Sequence, residues 1–144
     1  MSSRVAILSA LSAALLIGGG YYCYVAAFRN LCGNTALYVS PSPDGGLKAV
    51  VFERDCRATT GLSTQVSILD VSDPLPNASG NAFVADTNHD AAPPGPGGGP
   101  EVRLVWQSVG RLVIQHDGRA RVYFAANEVR GVRIEQAALS RDGV

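Results

Sequence analysis

The sequence is poor in the residues from which most catalytic and metal sites are built. It has one lysine, two histidines and three cysteines among 144 residues. Zinc and hydrolytic sites need several such side chains to converge. A phosphate-cradling loop of the glycine-plus-lysine type is missing, because the glycine triplets lie in the uncharged N-terminal run and between prolines, away from the single lysine, Lys48. We therefore predict no catalytic residues, no metal and no cofactor, and we expect that the protein is not an enzyme.

An excess of basic charge and a helical pattern after the first 29 residues are both missing. The chain carries 12 basic and 12 acidic side chains, so its net charge does not indicate a nucleic-acid partner. No ten-residue stretch beyond residue 29 repeats its apolar residues at helical spacing. These absences exclude a basic nucleic-acid-binding protein and a helical bundle.

Charge is entirely lacking from Val5 to Phe28, a run bracketed by Arg4 and Arg29. A helix over this run would span about 36 Å, enough to cross a hydrocarbon core of about 30 Å. Three tyrosines near its end suit the membrane interface, namely Tyr21, Tyr22 and Tyr24. We predict that residues 1–29 are a transmembrane signal anchor and that a single pass places the rest of the chain in the periplasm or outside the cell.

Two alternatives to this single-pass anchor in the cytoplasmic (inner) membrane stay open. In the first, the segment is a signal peptide cleaved near Ala27, and the protein is secreted. In the second, the anchor packs against another envelope protein, because Ser9, Ala13 and Gly19 are small enough for close helix contact. The second alternative predicts an accessory subunit of a membrane complex.

The cysteines support export. Cys23 lies in the anchor, which leaves Cys32 and Cys56 as an even pair in an oxidising compartment. We predict that they form a disulfide, which would stabilise the fold by about 3–4 kcal/mol in the chain-entropy model. A reactive thiol at Cys56 is disfavoured because the neighbouring carboxylates, Glu53 and Asp55, oppose a thiolate.

Residues 30–136 are predicted to form one β domain, followed by a tail over 137–144. Alternating apolar residues indicate strands, and a turn rich in proline, aspartate and glycine separates the first two. The predicted strands of the first half are an edge strand Ala36–Ser40, a central strand Leu47–Asp55, its return strand Thr64–Val71 and a short strand Ala82–Ala85. The proline- and glycine-rich segment 87–100 is predicted to be a mobile surface loop.

Residues 101–135 are predicted to form a C-terminal meander. Its first strand, Val102–Trp106, alternates cleanly, and a three-residue loop 116–118 gives a hairpin that pairs Leu112 with Val122 and keeps apolar side chains on one face. The last strand is predicted over Val129–Glu135. The fold class is therefore all-β, a small antiparallel sheet or sandwich-like domain behind one transmembrane helix.

The connection between the predicted strands Leu47–Asp55 and Thr64–Val71 is longer and more polar than a plain hairpin requires. We predict that it forms a recognition loop held by the disulfide. The candidate residues are Arg54, Asp55, Thr59, Thr60, Ser63 and Thr64. The competing interpretation is that these hydroxyls cap their own backbone. His89, flanked by Asp86 and Asp90, is the best remaining polar cluster, although a solvated loop is the favoured interpretation. A small envelope hydrolase would require His89 and residues 53–64 to converge.

Two segments resemble known bacterial proteins. Ser42-Pro43-Asp44-Gly45 with the strand after it looks like the start of a β-propeller blade, but a propeller needs several such copies and this chain has one. Residues 49–69 (Ala-Val-Val-Phe-Glu-Arg-Asp-Cys through Ser-Thr-Gln-Val-Ser-Ile-Leu) resemble small exported or membrane-anchored bacterial proteins without an assigned function. Arg57 and Leu62 depart from that pattern. The resemblance implies an exported β domain, and we expect a binding or envelope-structural module.

Overall fold

The computed structural model describes residues 3–29, 31–57 and 61–139. The chain divides into two compact units, residues 1–31 and residues 32–144, which we call the helical unit and the β domain. The helical unit contains α1, Ser3–Arg29. Within the part of the chain that the structure describes, one helical stretch is long and apolar enough to span a membrane, Ser9–Ala27, with a mean hydropathy of 1.4.

The described residues of the β domain form nine strands in two sheets, which confirms the all-β fold class with one N-terminal apolar helix. The strands are β1 (Gly33–Pro41), β2 (Leu47–Asp55), β3 (Ser63–Asp70), β4 (Phe83–Asp86), β5 (Val102–Ser108), β6 (Arg111–His116), β7 (Arg121–Ala125), β8 (Glu128–Val129) and β9 (Val132–Ala138). The first sheet has the order β1-β2-β3-β4-β7, and the second has the order β5-β6-β9-β8.

The predicted β1–β2–β3 arrangement is confirmed. In the turn between β1 and β2, Ser42 Oγ donates to Asp44 at 2.6 Å, and Gly45 takes a positive φ of 74°, as a glycine in such a turn can. β2 pairs antiparallel with both β1 and β3. Four consecutive β2 residues, 49–52, are buried, as expected for a central strand covered on both faces.

The main core lies between the two sheets. Inward residues of the first sheet, such as Val51 and Phe83, pack with Leu112, Ile114 and Val132 of the second. On the opposite face of the first sheet, which we call the outer face, a smaller apolar cluster joins Val50, Phe52 and Leu69, and Leu75 from the 71–82 connection packs against it. This connection covers only part of the outer face.

The predicted hairpin between Leu112 and Val122 is wrong. β6 instead pairs parallel with β9, matching Leu112 to Ile134, and β7 crosses to the first sheet, where it pairs with β4 and matches Val122 to Ala85. The predicted hairpin would have kept the apolar side chains of these two strands on one face. The observed pairing adds a strand to β4 and another to β6, so both sheets gain backbone hydrogen bonds. The predicted inward faces are nevertheless correct for Leu112 and Ile114, which are fully buried.

The predicted final strand, Val129–Glu135, is also wrong in its continuity. Arg130 and Gly131 both have positive φ, 52° and 76°, and form a two-residue turn between β8 and β9. This backbone suits the hairpin turns that match strand twist. β9 then continues to Ala138, so the strand includes two residues of the predicted tail. Residues 140–144 of that tail lie outside the described residues.

The segment 87–100 is not a surface loop along its whole length. Ala92 is fully buried, Gly97, Gly99 and Pro100 are also buried, and Gly95 N donates to Gly99 O at 2.7 Å. Gly99 lies so close to Thr64 that an added Cβ would be 2.6 Å from the Thr64 backbone nitrogen. The glycines that suggested a loose segment therefore allow close backbone packing.

Candidate functional site

The predicted recognition residues separate into three groups. Arg54 and Asp55 end β2, and Ser63 and Thr64 begin β3, with Arg54 directly opposite Ser63 in the register. Thr64 is 2% exposed and packs beneath Gly99, so it presents almost no surface to a ligand. Thr59 and Thr60 lie outside the described residues. The connection between the strands therefore comprises residues 56–62.

The predicted disulfide between Cys32 and Cys56 is present, with an S–S distance of 2.03 Å. It ties the residue before β1 to the residue after β2. Within the β domain, Asn77 Nδ2 donates to Cys32 O at 2.9 Å, so the 71–82 connection joins the same junction. The disulfide therefore fixes the base of the 56–62 connection.

A groove of about 810 Å³ crosses the outer face of the first sheet beside this connection. Four adjacent strands (β2, β3, β4 and β7) supply its floor, while Cys56, Gly61, Leu62 and the turn after β4 supply its walls. We call it the outer groove. Its lining residues are Arg54, Cys56, Gly61, Leu62, Ser63, Gln65, Val84, Asp86, Thr87, His89, Asp90, Gly98, Arg121 and Tyr123. The two polar segments identified in the sequence, one around Arg54 and one around His89, thus meet in one groove.

Arg54 is held at one end of the outer groove by neutral partners. Its Nη1 donates to Asn34 Oδ1 at 2.7 Å and to Asn77 Oδ1 at 3.2 Å. Asn34 is itself fixed, because its Nδ2 donates to the carbonyl oxygens of Pro76 and Ala78 at 2.9 and 2.7 Å. These bonds lock the orientation of the Arg54 guanidinium. Across residues 31–57 and 61–139, Arg54 has no carboxylate partner.

Asp86 organises the other end of the outer groove. Arg121 Nη2 donates to Asp86 Oδ2 at 2.6 Å, Tyr123 OH donates to the same oxygen at 2.7 Å, and Asn88 N donates to Oδ1 at 2.8 Å. The Arg121 guanidinium also lies 4.9 Å from the centre of the Tyr123 ring, within the range of a cation–π contact. These contacts join β4 to β7 on the outer face.

The ionisation states of Asp86 and Tyr123 follow from their hydrogen bonds. Partial burial acts to raise the pKa of Asp86, but the bonds from Arg121, Tyr123 and Asn88 outweigh burial, so the pKa lies below its usual value. The bond to Asp86, followed by desolvation, raises the pKa of Tyr123. Asp86 is therefore a carboxylate and Tyr123 a neutral hydrogen-bond donor at neutral pH.

The turn after β4 has an unusual backbone. Asn88, His89 and Asp90 have consecutive φ values of 52°, 54° and 65°, a left-handed conformation that costs about 1–2 kcal/mol per residue outside glycine. The bond from Asn88 N to Asp86 and a bond from Ala92 N to Thr87 O at 2.9 Å close the turn. It leaves His89 and Asp90 exposed on the wall of the outer groove.

The site contains no arrangement suited to hydrolysis in the part of the chain that the structure describes. His89 makes no hydrogen bond there, while Ser63 Oγ donates to Arg54 O at 3.3 Å and accepts from Gln65 Nε2 at 2.9 Å. A serine nucleophile needs its base within hydrogen-bond reach. Three or more histidine, cysteine, aspartate or glutamate side chains placed to share a metal ion are likewise not found among the described residues.

Sequence reasoning missed four contributors to the outer groove. Arg121 and Tyr123 lie on the exposed face of β7, and their contact with Asp86 depends on the β4–β7 pairing. Gln65 is buried, and its Oε1 accepts from Ser79 and from Gly80 N at 3.1 and 2.7 Å. Leu62 forms a half-exposed apolar wall. An exposed arginine and tyrosine at alternate strand positions were the available signal.

Comparison with known proteins gives no relative to guide the assignment. No protein family, no curated protein and no solved structure matches the chain. The function therefore has to be inferred from the geometry of the outer groove and from the helical unit.

Proposed function

We propose that the chain is an extracytoplasmic binding module, anchored in the inner membrane by α1, whose ligand lies in the outer groove. The observation that carries this proposal is the convergence of Arg54, Leu62 and Ser63 with the Asp86–Asp90 turn on one groove of about 810 Å³. Such a volume matches typical small-molecule sites of about 300–1,000 Å³. Polar side chains at both ends and an apolar strip of Leu62 and Val84 would fix a ligand's orientation.

Binding is better supported than hydrolysis because the Asp86 carboxylate and the Ser63 hydroxyl of the outer groove already have partners. Asp86 is occupied by Arg121 and Tyr123, and Ser63 by Gln65 and a backbone carbonyl. A preset network of this kind orients recognition groups, whereas hydrolysis needs a base in contact with a nucleophile or water. The envelope hydrolase is therefore the less favoured proposal.

The location in the envelope rests on the helical unit and the disulfide. An apolar helix that could span a membrane precedes a domain with a Cys32–Cys56 bridge, and disulfides persist mainly in oxidising compartments. An uncleaved anchor is favoured over cleavage near Ala27 because the tyrosines at 21, 22 and 24 suit a membrane interface. The accessory-subunit alternative predicts a partner that co-purifies through α1 in mild detergent.

Site-specific photocrosslinking in cells tests the binding role. A benzophenone amino acid replaces Leu62, 36% exposed on the wall of the outer groove, or Val109, 46% exposed and outside it. We expect a discrete adduct at Leu62 and none at Val109, because only the groove position would contact the ligand. The same adducts at both positions, or none at Leu62, would contradict the proposal. An adduct that instead arises from positions in α1 would favour the accessory role.

A further inference from the structure

The arginines of the β domain differ in how their charge is balanced. Among the described residues, five form ion pairs with carboxylates at 2.6–2.9 Å. They are Arg103, Arg111, Arg119, Arg121 and Arg130. Arg54 is instead partly buried and held by two neutral amide oxygens, from Asn34 and Asn77. An amide oxygen orients a guanidinium without cancelling its charge.

Arg54 donates to both Asn34 and Asn77 from the same atom, Nη1. Among the residues that the structure describes, the Nε–H and Nη2 groups have no acceptor. These two groups form one side of the planar guanidinium fork, which matches the two oxygens of a carboxylate or phosphate. Arg54 therefore combines a fixed orientation, an uncompensated charge and a free bidentate edge, and it lines the outer groove.

We propose that Arg54 is an oxyanion-binding residue and that the ligand of the outer groove carries a carboxylate or phosphate group that it holds. The proposal rests on the proposed binding role of the groove and specifies the chemistry of its ligand. The other charges of the groove allow it. The carboxylate of Asp86 is balanced by Arg121, and that of Asp90 is exposed, where solvent and salt screen its repulsion.

The apolar and aromatic side chains of the outer groove lie away from the end that contains Arg54. Val84 and Tyr123 belong to β4 and β7, which follow β2 and β3 across the sheet, so they lie about two to three strand spacings of about 4.8 Å from Arg54. A ligand that places an anionic group at Arg54 would extend its remaining atoms over Val84 towards Tyr123. This geometry fits an elongated anionic molecule rather than an isolated ion of water-like size.

Nuclear magnetic resonance of the full chain in non-ionic detergent tests the proposal directly. Arginine Nε–Hε signals are followed while inorganic phosphate or acetate replaces chloride at constant ionic strength. We expect a saturable shift of the Arg54 signal and little change at Arg57, which is exposed and lies outside the groove. Absence of a saturable shift with both anions, or an equal response at Arg57, would overturn the proposal. Stronger binding of acetate indicates a carboxylate ligand, and stronger binding of phosphate a phosphate ligand.

Arg54→Lys keeps the charge but loses the fork, and Arg57→Lys is its matched control. We expect Arg54→Lys to weaken binding of the preferred anion about tenfold or more and Arg57→Lys to leave it unchanged. Because Arg54 also binds Asn34, the variant's fold is checked through the Arg121 signal, and the wild-type titration decides the question if the variant is unfolded. Groove-specific crosslinking without anion binding would refute the oxyanion site alone, whereas anion binding without crosslinking would refute the wider binding role.

Discussion

At the scale of single residues, Asp86 is the carboxylate that joins β4 to β7 in the outer groove. Its carboxylate accepts hydrogen bonds from Arg121, Tyr123 and the Asn88 backbone. Its side chain is 18% exposed, whereas the comparable carboxylate of Asp70, paired with Arg130, is 51% exposed. Ion pairs at exposed sites contribute little to stability, so these two aspartates form a matched pair for mutation.

Asp86→Asn is expected to lower the free energy of unfolding at neutral pH by about 1 kcal/mol, and Asp70→Asn by less than about 0.5 kcal/mol. The pKa of Asp86 is lowered in the folded state. Its stabilising effect is therefore present above the unfolded pKa of about 3.9 and is lost as pH falls through the lower folded pKa. Urea unfolding across this acid range measures both effects. Equal losses in the two variants, or an unchanged acid profile in Asp86→Asn, would contradict this assignment.

Residue-level features were partly predictable from sequence. Both faces of β2 are apolar, which predicted a central strand, and residues 49–52 are buried accordingly, because successive side chains of a strand point to opposite faces. The same rule does not indicate which strand lies alongside. The contact between Asp86 and Tyr123 joins residues 37 positions apart, and no local pattern encodes it.

At the scale of strands and loops, the failed hairpin prediction shows how local arguments can mislead. The loop 116–118 had suitable turn residues, and the paired apolar positions agreed, yet β6 and β7 join different sheets. A hairpin register compares only the two strands it connects, whereas the fold is decided by pairing in both sheets. The β6–β9 pair is parallel and needs a long crossover, which here includes β7 and β8.

The segment 87–100 gives a test at this scale. Gly99→Ala would place a Cβ 2.6 Å from the backbone nitrogen of Thr64, whereas Gly118→Ala meets no atom within 4 Å. We expect Gly99→Ala to destabilise the domain by about 1–3 kcal/mol through overpacking and Gly118→Ala to change stability by less than about 0.5 kcal/mol. Thermal and urea unfolding of both variants provide the measurement. If Gly99→Ala is as stable as Gly118→Ala, the segment does not pack against β3 as described.

At the scale of the whole molecule, the candidate site arises from chain topology. The convergence of Arg54 with His89 depends on β3 lying between β2 and β4, and the addition of Tyr123 depends on β7 returning to the first sheet. From the sequence, the segment around Arg54 was predicted to be a recognition loop and the segment around His89 a separate solvated loop. The disulfide was predictable because only two cysteines remain outside α1, and this elimination does not depend on topology.

The final prediction concerns how the molecule lies in the cell envelope. The helical stretch Ser9–Ala27, 19 residues with a mean hydropathy of 1.4, spans about 28 Å, close to the thickness of a hydrocarbon core. We expect a reporter fused after Val144 to be active only outside the cytoplasm and the intact mass of the purified protein to retain residues 1–27. A mature amino terminus at Phe28 would refute the anchor but preserve export, since a cleaved signal peptide also directs translocation. A reporter active only in the cytoplasm would refute export itself, and with it the compartment that favours the Cys32–Cys56 bridge.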